Sequence, residues 1–378
     1  MLLNVIVSAL NEEKNIVRVL EGLENQVNNE GTELDKKLYG IVVVDNGSTD
    51  NTARVVQRFA RHSKTLVTLV HEQERGIVSA RLAGVRKVVE GVANINGIEY
   101  LAFCDSDVIV PSTWIHSMLS RFQSGNVDVL SYNGSFPHHF WIKVPTLTSK
   151  YMDELGTLFF PEETIRHYGA NNKAVRFTRL VYSDFVRPPS GGFYAIRLSA
   201  YNQVGGYTRE FTKEGKEVDG PTWRLYHKLM KQGARLQFVP GLDMTNSSRR
   251  LLGDPARFFG AQSYDQLSDL PQDIRTTDES RFELVERIAR HIDFEPMQRY
   301  VVEYYIIMPC VCVPPSIAKN RHYFPTIEEK LREDIMKWNL ENPNPKGEEV
   351  YHFCDILIDK YFSEIMRDIP FAKEKLSK

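Results

Sequence analysis

Four short apolar runs in the first 110 residues, separated by helix-spaced patterns, constrain this chain more than any other feature. The runs are Leu2–Leu10, "GIVVVD" (40–45), "TLVTLVH" (65–71) and "YLAFCD" (100–105). Each is short and apolar, and the second is rich in β-branched residues, as parallel strands covered on both faces should be. Between them Ile16, Val19, Leu20 and Leu23 fall at i, i+3, i+4 and i+7, Val55, Val56 and Phe59 share a face, and Ile77, Ala80, Gly84 and Val88 keep the same period. Strand–helix alternation of this kind predicts an α/β fold with a doubly wound, mostly parallel sheet and right-handed crossovers. Ser48-Thr49-Asp50 offers N-cap oxygens to the second helix, and Gly47 suits the turn that ends the second strand.

Ligands of open α/β sheets bind beyond the carboxyl ends of the strands. Three of those ends are polar here: Ser8, Asn11 and Glu12 after the first run, Asp45 and Asn46 after the second, Asp105 and Asp107 after the fourth. Apolar strands that end together in acids predict a shared site. By itself Asp105-Ser106-Asp107 admits three readings: a clamp for a hard cation, a phosphoryl-transfer nucleophile with its partner acid, or a polar turn. Residues i and i+2 of an extended chain point the same way. One or two carboxylates plus substrate phosphate oxygens are a common setting for Mg²⁺ or Mn²⁺. No G-x-G-x-x-G follows the first strand and no G-x-x-x-x-G-K-[ST] occurs, so dinucleotide and P-loop binding are disfavoured.

The rest of the chain is organised differently. Residues 130–180 are aromatic and aperiodic, 222–233 read as a helix ending at Gly233, and 234–240 as a strand. Beyond residue 250 the chain is helical and charged, as in "RFELVERIARHI" (281–292) and "TIEEKLREDIMKWNL" (326–340). The expected division is an α/β domain over 1–250 and a helical extension over 251–378. That extension is expected to pack on the first domain and to shape its ligand side or a homodimer interface. A net charge of −2 gives no basic field for nucleic acid. Four cysteines without C-x-x-C spacing argue against zinc and suit a reducing, cytoplasmic setting. "MLLNVIVSALNEE" reads as a first strand rather than a signal peptide, and "YYIIMPCVCV" (304–313) is too short to span a bilayer. Peripheral membrane contact stays open.

"VIVSALNEEKNIVRVLEGL", "IVVVDNGSTDNTARVVQRFA", "ERGIVSARLAGV" and "LAFCDSDVIVPSTWI" resemble, in order and spacing, the family 2 glycosyltransferases with the GT-A fold. "PSGGFYAIRLSAYNQVGGY" and "KEVDGPTWRLYHKLMKQGARLQFVP" are similar to that family's acceptor-side segments, so the resemblance covers roughly residues 3–245. It implies a nucleoside-diphosphate sugar donor (UDP-, GDP- or dTDP-linked), an inverting transfer to an acceptor hydroxyl of unknown kind, and Mg²⁺ or Mn²⁺. Ser8, Ala9, Leu10, Asn11 and Glu12 would line the nucleoside pocket, with Asp45, beside Asn46, on the base. Arg75 and Arg81 would lie near the base or diphosphate. Asp105 and Asp107, flanking Ser106, would hold the ribose and the metal, and Ser190-Gly191-Gly192 would approach donor sugar or acceptor.

Three departures from the family pattern stand out. Ser8 replaces the usual proline. The usual adjacent Glu-Asp pair is spread to Glu217-Val218-Asp219, so the base is either Asp219 or Glu217, or is missing. No histidine follows "FVP", and Arg249 and Arg250 would bind diphosphate instead, as guanidinium forks suit phosphate oxygens. Two other functions compete: a sugar-nucleotide-binding protein that has lost its base, and a haloacid-dehalogenase-like phosphotransferase with Asp105 as nucleophile. The latter family usually opens its core domain with this strand, which is the fourth here.

Overall fold

A computed structural model describes residues 2–92, 99–132, 134–135, 138–154, 165–167, 174–176, 192–215, 217–218, 220–239, 241–242, 244–259, 279–312 and 327–376. In chain order its first elements are β1 (Leu3–Ala9), α1 (Ile16–Glu24), β2 (Tyr39–Asp45), α2 (Thr52–Ala60), β3 (Leu66–His71), α3 (Ile77–Val92), β4 (Tyr100–Asp105) and α4 (Trp114–Ser124). Then come β5 (Val129–Ser131), β6 (Gly134–Ser135), α5 (His138–Lys143), α6 (Pro145–Glu154), β7 (Ile165–His167), β8 (Ala174–Arg176), β9 (Phe193–Arg197), α7 (Leu198–Gln203), α8 (Pro221–Lys231), β10 (Leu236–Phe238) and β11 (Met244–Thr245). The chain forms two compact units, one of residues 1–135 with 187–246, the other of 136–186 with 247–378.

The first unit is built on a seven-stranded sheet in the order β10-β5-β9-β4-β1-β2-β3. β1 pairs in parallel with β2 and β4, and β2 with β3, while β9 runs antiparallel to β4 and β5. Chain order reverses direction at β1, between β2 and β4. That is the switch point at which open sheets leave a crevice.

Alternation along the strands sends side chains to two cores. Val5 and Val7 of β1 with Ile41 and Val43 of β2 meet Ile16, Val19, Leu20 and Leu23 of α1 and Trp114, Ile115 and Met118 of α4. Ile6, Val42, Val44, Leu101 and Phe103 face the other way, onto Val78, Ala80 and Ala83 of α3 and Leu225 and Leu229 of α8. At Gly84, α3 comes so close to the sheet that an added Cβ would stand 2.5 Å from Ile6 Cγ2. Two expectations are corrected. β3 is the edge strand and only half-buried, so its apolar run is not covered on both faces. Ile77, assigned to the inner face of α3, is 43% exposed at the helix start.

In the second unit Pro145 opens α6, and Glu286 accepts from the N–H groups of Thr146 at 2.7 Å and Leu147 at 3.3 Å. A carboxylate there satisfies donors that a helix start leaves open and faces the positive end of its dipole. Phe140 packs on Phe282, and Trp141 on Tyr151. A helix of 30 residues, Gly347–Leu376, buries Cys354, Leu357, Tyr361 and Ile365. Among the described residues no helix is long and apolar enough to cross a membrane.

Candidate functional site

The carboxyl ends of β1, β2 and β4 lie side by side. In register Ala9 stands opposite Asp45, and Ser8 opposite Asp105. The sheet therefore collects the acids of three separated runs at one edge, as the strand ends predict.

Two loops are stitched together around Asp45. Asn11 sits at φ 56°, a left-handed conformation that asparagine tolerates better than most residues. There its N–H donates to Ser48 Oγ at 3.0 Å and its Oδ1 accepts from the N–H of Thr49 at 2.8 Å. The N–H of Glu12 donates to Thr52 Oγ1 at 2.7 Å, and Asn15 Nδ2 donates to Glu12 Oε2 at 2.8 Å. Glu12 is buried, so its polar atoms help to fasten the β1–α1 turn to the start of α2. Asp45 accepts from the N–H of Ser48 at 3.3 Å, and its Oδ2 lies 3.2 Å from His71 Nδ1. Asp45 itself is buried, while the His71 side chain is 59% exposed.

Asn46 holds the loop after β3. Its Nδ2 donates to the carbonyls of Glu72 and Glu74 at 3.2 and 2.7 Å, and its Oδ1 accepts from the N–H of Gly76 at 2.8 Å. Arg75 on that loop is exposed and donates back to the carbonyl of Gly47 at 3.2 Å. Arg81, expected near the base or diphosphate, lies within the core. It is buried, donating to Tyr207 Oη at 3.1 Å and Thr222 Oγ1 at 3.0 Å, with the rings of Phe103 and Tyr207 at 5.8 and 5.4 Å. Burial works to lower its pKa, but Tyr207, Tyr194 and Asp105 hold the guanidinium above its ordinary value.

Asp105 and Asp107 are half-buried around a buried Ser106. Burial, then Asp105 and Asp107, push the Cys104 thiol well up, so this core cysteine stays protonated under the two acids. β9 brings Gly192 opposite Asp105, where an added Cβ would stand 2.0 Å from Oδ2. Of the Ser190-Gly191-Gly192 turn, only Gly192 lies within the described residues. Among the described residues no cluster of three or more His, Cys, Asp or Glu side chains could enclose a metal. The pair Asp105 and Asp107 nevertheless fits a Mg²⁺ or Mn²⁺ ion whose other ligands are diphosphate oxygens and water, the usual setting of such ions. Gly192 leaves the space that the Asp105 carboxylate fills, so the absence of a side chain there lets Asp105 keep its place at the strand end.

Of the two candidate bases, Asp219 lies outside the described residues. Glu217 is gripped by Arg209, Nε to Oε1 at 3.0 Å and Nη2 to Oε2 at 3.2 Å. Arg209 also pairs with Glu74, and Glu217 and then Glu74 raise its pKa above the ordinary arginine value. Val218, at the family's usual base position, is buried. Trp223 packs edge-on against Tyr226, and Arg224 pairs with Glu210 at 3.4 Å, so the two serve helix packing and local pairing. Arg249 and Arg250 open a short helix, Arg249–Gly253, in the second unit. His71 and Arg209 were not anticipated. The end position of His71 in the third run, in register with Asp45, could have flagged it. The pairing of Arg209 with Glu217 across a turn has no periodic signature.

Residues 4–176 match the family model described as glycosyl transferase family 2. The uncharacterized protein MJ0544 of Methanocaldococcus jannaschii is 30% identical over 125 residues, 33% of this chain and 48% of that one. Glycosyltransferase AglE of Haloferax volcanii is 27% identical over 135 residues, 36% of this chain and 40% of that one. The matched part thus spans less than half the length of either relative. Mannosyltransferase PcManGT from Pyrobaculum calidifontis, in complex with GDP-Man and Mn²⁺, aligns over 99% of this chain and 86% of its own at 14% identity and a TM-score of 0.43.

Proposed function

We propose that this chain, whose residues 4–176 belong to glycosyl transferase family 2, moves a sugar from a nucleoside-diphosphate sugar to an acceptor hydroxyl. The observation that carries the reading is the meeting of Asp45 with Ala9 and of Asp105 with Ser8 at the switch point of the sheet, with Gly192 backed onto Asp105. Asp45 is oriented by Ser48 and His71 and would accept from a nucleobase. Asn46, through the 72–76 loop, holds Arg75 beside the strand ends, where its guanidinium would meet donor phosphate. Asp105 and Asp107 would hold Mg²⁺ or Mn²⁺ against the diphosphate, and the ion would supply the positive charge that lets the nucleoside diphosphate leave. A carboxylate of the Glu217–Asp219 run would take the acceptor proton in an in-line, inverting displacement. Arg81 would act from within the core, as a buried positive charge near the site.

Thermal unfolding with UDP, GDP and dTDP, with and without Mn²⁺, tests the reading. A ligand bound only by the folded state raises the melting temperature. A rise with one nucleotide, larger with Mn²⁺, is expected, and no rise with any of the three overturns the proposal. Asp219→Asn separates a transferase from a protein that only binds sugar nucleotides. Glu217→Gln is made beside it, and in a transferase one of the two stops turnover and leaves the nucleotide shift in place.

A further inference from the structure

A tight hairpin precedes α8. Phe211 bridges to Glu217 in antiparallel fashion, the N–H of Val218 donates to the carbonyl of Glu210 at 2.8 Å, and the N–H of Gly215 closes the turn onto the carbonyl of Thr212 at 3.0 Å. Gly215 takes φ 80° there, which glycine adopts without strain. Arg224 of α8 fastens the base of the hairpin, donating to the carbonyls of Val218 and, at 3.2 Å, Thr208. Residues directly opposite in an antiparallel pair send their side chains to one face, so Phe211 and Glu217 stand together. Arg209 touches both. Its guanidinium lies 4.7 Å from the centre of the Phe211 ring, holds Glu217 at 3.0 and 3.2 Å, and pairs with Glu74. Glu74 belongs to the 72–76 loop, which hangs from Asn46 at the end of β2. The ring is thus fixed to the strand-end crevice through one guanidinium, yet Phe211 stays 51% exposed.

We infer that Phe211 is a stacking platform for a sugar ring of the acceptor. The inference rests on the transferase reading and gives the acceptor a class: a glycan or glycoside. A lone exposed ring is ordinary on a protein surface. This one is set apart by how it is held. Arg209 backs one face by a cation–π contact, and the exposed remainder offers a flat apolar surface beside the site. Its neighbours Thr208, Arg209, Glu210, Thr212, Lys213 and Glu214 are all polar. A single ring so surrounded is too small an apolar patch for a lipid surface or a protein partner. A pyranose matches it. The C–H groups of one sugar face cover the aromatic ring, and the hydroxyls at the sugar's rim meet the charged groups around it. The position agrees with the chemistry. Phe211 stands across the hairpin from Glu217, one of the two acids proposed to take the acceptor proton, so a sugar stacked on the ring carries its hydroxyls to that acid.

The test uses the full chain with Mn²⁺ and UDP or GDP. The probes are the methyl glycosides of glucose, galactose, mannose and N-acetylglucosamine, with binding read by saturation-transfer NMR so that no turnover is needed. At least one probe is expected to bind the parent protein. Phe211→Ala should weaken that binding by about fivefold or more. Phe211→Leu keeps an apolar residue in the hairpin but not the flat ring, and should behave like Phe211→Ala. Phe211→Trp should hold the probe at least as well as the parent. Melting temperature and the UDP or GDP thermal shift should stay as in the parent for all three variants, because the ring does not hold the donor. Equal binding by Phe211→Ala and the parent overturns the inference. So does a parent that binds none of the glycosides, or a Phe211→Trp variant no better than Phe211→Ala. If the parent still shows its nucleotide shift, such a result removes only the inference. Absence of any nucleotide shift in the parent removes the transferase reading and the inference with it.

Discussion

Gly192 and Asp105 face each other across the β4–β9 ladder so closely that a Cβ on Gly192 would stand 2.0 Å from Asp105 Oδ2 and 2.3 Å from its Cγ. No side chain fits there. The antiparallel β9 thus presses bare backbone onto the acid at the end of the parallel β4. The carboxylate is backed on that side by main chain, which leaves it the crevice beyond the strand ends as its open direction.

Gly192→Ala is therefore expected to displace the Asp105 carboxylate. Mn²⁺-dependent nucleotide binding should weaken by about tenfold or more, equivalent to about 1.4 kcal/mol. Calorimetric titration of UDP or GDP with Mn²⁺ checks this, and unchanged affinity would remove the Gly192–Asp105 contact from the site.

Asp45 and Asp107 should fail in different ways. Asp107→Asn is expected to abolish the Mn²⁺-dependent part of the nucleotide thermal shift and keep the metal-independent part. Asp45→Asn should reduce both, because it alters recognition of the base and its contact with His71. A Mn²⁺ titration followed by differential scanning fluorimetry separates the two patterns.

The tight seat of α3 on the sheet gives a stability test away from the site. At Gly84 an added Cβ would lie 2.5 Å from Ile6 Cγ2 and 3.2 Å from Val44 Cγ2, so Gly84→Ala overpacks the core. Such overpacking costs about 1–3 kcal/mol. A fall in melting temperature of at least about 2 °C is expected by circular dichroism.

Two half-buried groups give the units opposite responses to acid. Burial, then Lys231, bring His227 in α8 down from 6.5 to about 4. Between those values the unfolded chain binds the extra proton, so this group makes the first unit less stable as pH falls. Burial, then Asp355, push Glu303 up from 4.5 to about 7. There the folded chain binds the extra proton, so this group makes the second unit more stable as pH falls from 7 towards 4.5. Melting curves at pH 5 and pH 7 check the signs: His227→Gln should reduce the acid loss, and Glu303→Gln the acid gain.

Much of this was written in the order of residues. Apolar runs separated by helix-spaced residues required a doubly wound sheet, because both patterns must bury their apolar sides on one another. Acids at three strand ends required a polar crevice, because side-chain alternation stops where the strands stop. The family resemblance followed from the same segments, and residues 4–176 match that family. Other features depend on pairings between distant positions, which no local period records. β3 became a half-covered edge because nothing pairs beyond it in the described sheet. Arg81 turned inward because Tyr207 and Thr222, far along the chain, supply its partners. Glu217, read as an alternative to Asp219 for the base, met Arg209 across a turn and Gly76 across the fold. Sequence determined which carboxylates gather at the crevice. Only tertiary structure decided which of them has its charge already spoken for, since that depends on which guanidinium comes within hydrogen-bonding distance.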